Sequence, residues 1–372
     1  MDKKTISSLY YNWWKNIDKF LFSLIILLFI TGLFFSLAST SLLVSDKLDT
    51  NDYAFFFKHL SFVFLGVIII FVLSSISEQK LFKFSPIIFV LSFIFLSLVP
   101  IIGVEVNNAQ RWIDLFLFPR FQPIELVKPF LIILISLILS NEKYTNTYFK
   151  YSITFIITVV VSLLLAAQPD IGQTLLVFFS WSVLIFVSGI SIFFLICSFL
   201  ILLTSLFLMI NFIPKFEYIK NRIKSFFDAE TGTHNAQSEK AIDSINSGGY
   251  FGKGIGEGTL KNRVPEAHTD YIISVISEEF GVVAIILILF LFLIFIYSVF
   301  KKVYYENEEK IKLILVGCAS LILVQAMIHI GVNIRLFPTT GMTLPFISYG
   351  GSSIISISIL SGIILNLTKR KI

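Results

Sequence analysis

The sequence predicts an all-α, polytopic membrane protein with about ten transmembrane helices and one large outward-facing loop between helices 7 and 8. Composition, hydropathy and the spacing of the apolar blocks carry that prediction. Of the 372 residues 56% are hydrophobic and only 14% are charged, against about 45–50% and about 25% in a soluble domain. Phenylalanine alone fills 41 positions, and the mean hydropathy is +0.87. The apolar residues fall in long blocks with short polar breaks. A water-soluble surface cannot be built from so few charges, and a disordered chain, which would be polar, is excluded. Cys197 and Cys318 both lie inside apolar runs and form no CxxC pair. They read as small buried hydrophobes, not as a disulfide or a metal site.

A transmembrane helix needs about 20 mostly apolar residues. Ten stretches qualify: 19–38, 59–76, 84–103, 122–140, 152–167, 173–188, 191–213, 271–300, 311–333 and 349–367. The first has the outline of a signal peptide, with Lys15 and Lys19 before it and Ser36, Ala38 and Ser39 at its end. Nine further spans behind it favour a retained helix. An even number of spans puts both termini on one side, and the distribution of Lys and Arg decides which. The N-terminal tail with Lys19, 77–83, 141–151, 300–312 and the C-terminus hold fifteen, whereas the opposite short loops hold five. Both termini are therefore expected in the cytoplasm, with 1–18 as a tail and 1–372 as a single membrane domain.

Segment 214–270 carries eight basic and eight acidic residues and is too long to vote in that count. By alternation it becomes the large periplasmic or extracellular loop. Within it, Phe216–Phe227 spaces Phe216, Ile219, Ile223 and Phe226 at helical intervals among Lys220, Arg222 and Lys224. That is an amphipathic helix, lying on the outer membrane face or packed on the bundle. No internal repeat is visible, so the inverted-repeat signature of many secondary transporters is missing.

Ionisable groups in or beside spans are costly and mark function. Residues 107–128 place Arg111 and Trp112 in a loop, then carry Gln122, Glu125 and Lys128 into the fourth span. Glu125 and Lys128 are three apart, share a helix face and can pair; an ion pair that only helps packing is the structural alternative. Gln168-Pro169-Asp170-Ile171-Gly172 forms the turn between spans five and six, where Asp170 can cap the next helix. Pro265-Glu266-Ala267-His268-Thr269-Asp270 runs directly into the eighth span, with Glu278 and Glu279 beyond. His268 and Asp270 supply two metal ligands, too few to define a site. Thr269 can cap the span by itself, which leaves Asp270 for another task. Ser247–Gly258 (SGGYFGKGIGEG) is glycine-rich but lacks the strand, helix and terminal Lys-Ser/Thr of a phosphate-binding loop. Tight turns and close backbone approach account for its glycines. Asn333–Ser353, with prolines, glycines and a single charge, reads as a structured, partly re-entrant loop.

In this order and at these spacings, NNAQRWI, QPIELVK, AQPDIG, SGGYFGKGIG, VPEAHTDYI with EEFG, and PTTGMTLPFISYGGSS resemble the motifs of the SEDS family of membrane glycosyltransferases (shape, elongation, division and sporulation). PEAHTD and PTTGMTLP are more similar to its cell-division branch than to its rod-elongation branch, which often has arginine in the place of Ala267. Asp228-Ala229, Arg335 and Phe337 depart from the family pattern. The resemblance implies a peptidoglycan glycosyltransferase that polymerises lipid II into septal glycan on the outer face of the bacterial cytoplasmic membrane. It implies Asp270 as the catalytic base, and Arg111, Lys128, Arg222 and Arg263 for diphosphate recognition. Glu125 would orient Lys128, and Asp170, Glu266 and His268 complete the expected substrate-binding set. No resident cofactor is implied, although a divalent cation, magnesium or manganese, could add charge stabilisation. The expected partners are lipid II, a class B penicillin-binding transpeptidase and other division membrane proteins, with no nucleic acid. A rod-elongation polymerase, a lipid II flippase and a division scaffold are the alternatives.

Overall fold

The computed structural model describes residues 11–39, 54–106, 109–114, 120–227, 233–258 and 268–369. A bilayer offers no hydrogen bonds to backbone, so spanning segments must satisfy their own, and these do so as helices. In order they are α1 (Lys19–Ser39), α2 (Ala54–Ser75), α3 (Glu78–Ile102), α4 (Pro123–Leu139), α5 (Thr147–Ala167), α6 (Ile171–Val187) and α7 (Ile192–Phe212). Two helices of the long connection follow, α8 (Glu217–Phe227) and α9 (Thr233–Gly248). The bundle is completed by α10 (Ile272–Tyr305), α11 (Glu309–Asn333) and α12 (Gly351–Leu367).

Seven of these, α1, α2, α3, α5, α7, α10 and α11, are long and apolar enough to cross a membrane. The other three, α4, α6 and α12, have 17 residues each. Together these ten helices coincide with the ten predicted stretches. Phe64, Leu200, Phe207 and Leu293 point outward at 55–68% exposure, as lipid-facing residues do where no water penalises them. The protein is a multi-pass membrane protein. Its axis is α11: 72% of that helix's apolar window is buried, against 17% for peripheral α7.

Local signals set several helix starts. Pro123 opens α4, where its missing N–H costs nothing, and Asp170 Oδ1 accepts the Gln173 amide at 3.3 Å to cap α6. α10 starts after Tyr271, whose own side chain makes no cap. The segment before α4, read from sequence as loop, contains a small antiparallel hairpin, β1 (Val104–Val106) with β2 (Ala109–Trp112). Its strands are too short for alternation to register in the sequence.

The eighth span also differs from its expected uniform helix. α10 is broken at Gly281, whose φ of 77° is left-handed, and residues 249–254 fill the break. Lys253 and Gly254 donate backbone N–H to the carbonyls of Glu278 and Glu279 at 2.9 and 3.0 Å. On the other side Val282 and Val283 donate to the carbonyls of Gly249 and Tyr250 at 3.0 and 3.2 Å. The two chains approach so closely that a Cβ on Gly281 would lie 2.2 Å from the Tyr250 oxygen, and one on Gly252 2.1 Å from that of Glu279. The glycine loop therefore serves close backbone approach, as its composition suggested. Residues 334–350 run without regular structure into the interior, where Met342, Leu344, Phe346 and Ile347 are buried.

Candidate active site

Where the start of α10 meets the loop after α11, the bundle encloses a cavity of about 370 Å³. Arg111 from β2, Glu125 from α4, Arg222 from α8 and Asp270 from the start of α10 all line it. Together with Arg120, these segments place two carboxylates and three guanidinium groups around one space.

Asp270 is held by backbone bonds on consecutive residues. The carbonyl of His268 accepts the Tyr349 amide at 3.1 Å, that of Thr269 accepts Ser348 Oγ at 2.7 Å, and that of Asp270 accepts Asn333 Nδ2 at 3.0 Å. Opposite it stands Gly341, with φ of +70°; a Cβ there would lie 3.5 Å from Asp270 Oδ2 and 3.8 Å from Arg111 Nη1. The Asp270 carboxylate and the Arg111 guanidinium therefore both lie within 4 Å of the place a side chain at this position would take.

Arg111 is anchored behind the cavity. It donates to the Pro169 carbonyl and pairs with Asp170 at 3.5 Å, which also accepts Gln122 Nε2 at 3.1 Å. Asp170 is thus the buried counter-charge that fixes a cation as well as the cap of α6. Arg222 is fixed by a bond from Nη1 to the Thr339 carbonyl at 2.9 Å. Deeper in α4, Lys128 Nζ donates to Glu125 Oε1 at 2.9 Å and to Gln173 Oε1 at 3.0 Å. Gln173 Nε2 donates to the same Glu125 oxygen at 3.0 Å, and Glu125 Oε2 has no protein partner. The ion pair is desolvated, with its side chains 0% and 5% exposed. Burial raises the pKa of the nearby Tyr271 and Tyr349 hydroxyls. They stay neutral, and the cavity's charge comes from its acids and arginines. At the rim, Arg120 pairs with Asp114 at 3.3 Å; both are exposed, so the pair contributes little.

A family profile described as cell cycle protein, the FtsW/RodA/SpoVE family, matches residues 18–371. The chain belongs to this family. Among FtsW/RodA/SpoVE relatives, it is 34% identical to the probable peptidoglycan glycosyltransferase FtsW of Wigglesworthia glossinidia brevipalpis, over 91% of this chain and 90% of that one. It is 32% identical to the FtsW protein of Enterococcus hirae with the same description, over 96% and 94%. Its fold matches a chain solved under the description "Structural coordination of polymerization and crosslinking by a peptidoglycan synthase complex", with a TM-score of 0.77, 26% identity and coverage of 95% and 97%. The rod shape determining protein RodA of Thermus thermophilus matches with a TM-score of 0.70 at 26% identity, over 95% and 96%. The RodA branch of the family therefore shares this architecture.

On this FtsW/RodA/SpoVE frame, four of the residues singled out from sequence (Arg111, Glu125, Arg222 and Asp270) line the cavity, and Lys128 and Asp170 support it from behind. His268 sits to one side, its ring 4.9 Å from that of Phe55 and 6.0 Å from that of Tyr349. Arg263 and Glu266 lie outside the described residues. Among the described residues no group of three or more His, Cys, Asp or Glu side chains converges as a metal cage. Sequence reasoning missed Gln173, and it missed Gln325, His329 and Asn333 on α11. The last three recur every four residues in an apolar span, a stripe that could have been read as facing something polar.

Proposed function

We propose that this chain is the glycan polymerase of septal wall synthesis, joining lipid II units on the outer face of the cytoplasmic membrane. The observation that carries the reading is the placement of Asp270 and Arg111 together beside Gly341. The C4 hydroxyl of an acceptor sugar attacks the anomeric carbon of the donor from the face opposite the diphosphate. The new O–C bond forms as the bond from the anomeric carbon to the diphosphate oxygen breaks. Asp270 takes the hydroxyl proton, and the electron pair leaves on undecaprenyl diphosphate with inversion. A weakly acidic hydroxyl needs a positioned base, whereas a diphosphate leaving group needs fixed positive charge. Arg111 and Arg222 supply that charge. An apolar cavity of about 220 Å³ opens beside the same two arginines, with Ile171, Leu175, Phe179 and Ile219 in its wall. Its chemistry suits a polyprenyl chain whose diphosphate sits at its mouth. A magnesium or manganese ion would take most of its ligands from the diphosphate and water, the usual arrangement for magnesium.

The test is polymerisation by the purified protein, alone and with its cognate class B penicillin-binding transpeptidase, on lipid II in detergent. Long glycan chains are expected. Intact lipid II, together with its transfer across vesicle membranes, would instead identify a flippase.

The reading also requires segment 214–270 outside and both termini inside. A cysteine at the exposed Asn246 of α9, in a chain lacking Cys197 and Cys318, should react with an impermeant thiol reagent in intact spheroplasts. Labelling only after permeabilisation would reverse the topology and remove the site from outward-facing lipid II.

A further inference from the structure

Two buried polar residues on the central helix take no part in the steps above. His329 and Asn333 lie one turn apart on α11, 1% and 0% exposed. His329 Nδ1 lies 2.7 Å from the Met342 carbonyl. A carbonyl only accepts, so Nδ1 carries the hydrogen and Nε2 presents a lone pair. Asn333 Nδ2 faces three acceptors: the Asp270 carbonyl at 3.0 Å, the His329 carbonyl at 2.9 Å and His329 Nε2 at 3.3 Å. Its two hydrogens cover these with one going to Asp270 and the other shared within α11. Ser274 Oγ donates to Asn333 Oδ1 at 3.1 Å, which fixes which end of the amide points at Asp270.

The two residues therefore hold two segments that line one cavity. Asn333 holds the backbone of Asp270, and His329 holds Met342, the neighbour of Gly341. A Cβ on Gly341 would in turn lie 3.5 Å from Asp270 Oδ2 and 3.8 Å from Arg111 Nη1, so this residue borders both groups. We infer that His329 and Asn333 are positioning residues that set the spacing between the Asp270 carboxylate and the Arg111 guanidinium. This rests on the reading of Asp270 as the base. A single packed helix carries both grips, so the spacing is fixed by the 3.6-residue helical turn and not by two independent loops. A reacting group displaced by about 1 Å loses about 10²-fold in rate while binding survives.

The experiment compares steady-state lipid II polymerisation by the purified full chain with its cognate transpeptidase partner. The variants are Asn333→Ala, His329→Leu, His329→Asn, Ser274→Ala and Asp270→Asn. For Asn333→Ala and His329→Leu, kcat should fall about 10²-fold with KM changed by no more than about twofold, the pattern of lost transition-state geometry. His329→Asn keeps an N–H donor at the Nδ1 position and should recover most of the kcat lost in His329→Leu. A loss confined to KM, or an equal fall in His329→Asn and His329→Leu, overturns the inference. Should Asn333→Ala not fold, Ser274→Ala decides: it leaves every carbonyl contact but frees the amide to turn, and an unchanged kcat overturns the inference. An active Asp270→Asn defeats the reading of the base itself. An inactive Asp270→Asn beside fully active His329→Leu and Asn333→Ala defeats only the positioning inference.

Discussion

Asp270→Asn should leave a chain that folds, binds lipid II and binds its transpeptidase partner, yet makes almost no glycan. Asparagine keeps the size and hydrogen-bonding reach of aspartate and removes its basicity. The bonds that hold residues 268–270 use backbone carbonyls, so the substitution leaves the local fold in place. Losing a positioned base typically costs about 10²–10⁴ in rate. Product length and amount on gels, with lipid II binding measured separately, separate this outcome from misfolding. Near-normal polymerisation would eliminate Asp270 as the base. Glu266, near the start of the same run, would then be tested in its place.

Lys128→Met is expected to damage folding as well as activity. It strands the Glu125 carboxylate beside Gln173 in a site where the side chain is 5% exposed. Breaking a buried pair by removing one partner costs about 3–5 kcal/mol. Folded yield by size-exclusion chromatography and thermal unfolding in detergent should both fall. Lys128→Met/Glu125→Gln removes the stranded charge and should restore yield without restoring polymerisation. A single mutant as stable as the parent would show that water reaches the pair and that the two groups do not act as a unit.

The ten apolar helices were legible because a bilayer leaves only one way to satisfy a spanning backbone, and length plus apolarity then suffices. Asp270, Arg111, Glu125 and Lys128 were legible for the converse reason: a charge at a membrane boundary stands out against its neighbours. What the sequence hid was convergence. Nothing in the spacing of Gly341 and Asp270 announces that they touch, because the loop after α11 reaches that point through three-dimensional packing. The Asp170–Arg111 pair spans 59 positions, and Asp170 was read instead as a helix cap, which it also is. Gln173 and Asn333, being uncharged, were not singled out as site residues although both are buried. The hairpin of β1 and β2 and the break at Gly281 were invisible to hydropathy, which averages over windows longer than either.

The way residues 249–254 complete α10 also bears on how this chain can diverge. Glycine-rich connections outside regular structure usually absorb insertions and deletions freely. Here two N–H groups and two carbonyls of the connection are matched to two carbonyls and two N–H groups of the broken helix. Adding or removing one residue between Gly249 and Lys253 would put at least one of these pairs out of step. The orphaned groups would then face a low-dielectric interior, where an unmade backbone bond costs about 1–3 kcal/mol. Substitutions can accumulate at the exposed Tyr250, Phe251 and Ile255, but the length of this connection is under the same constraint as a helix interior.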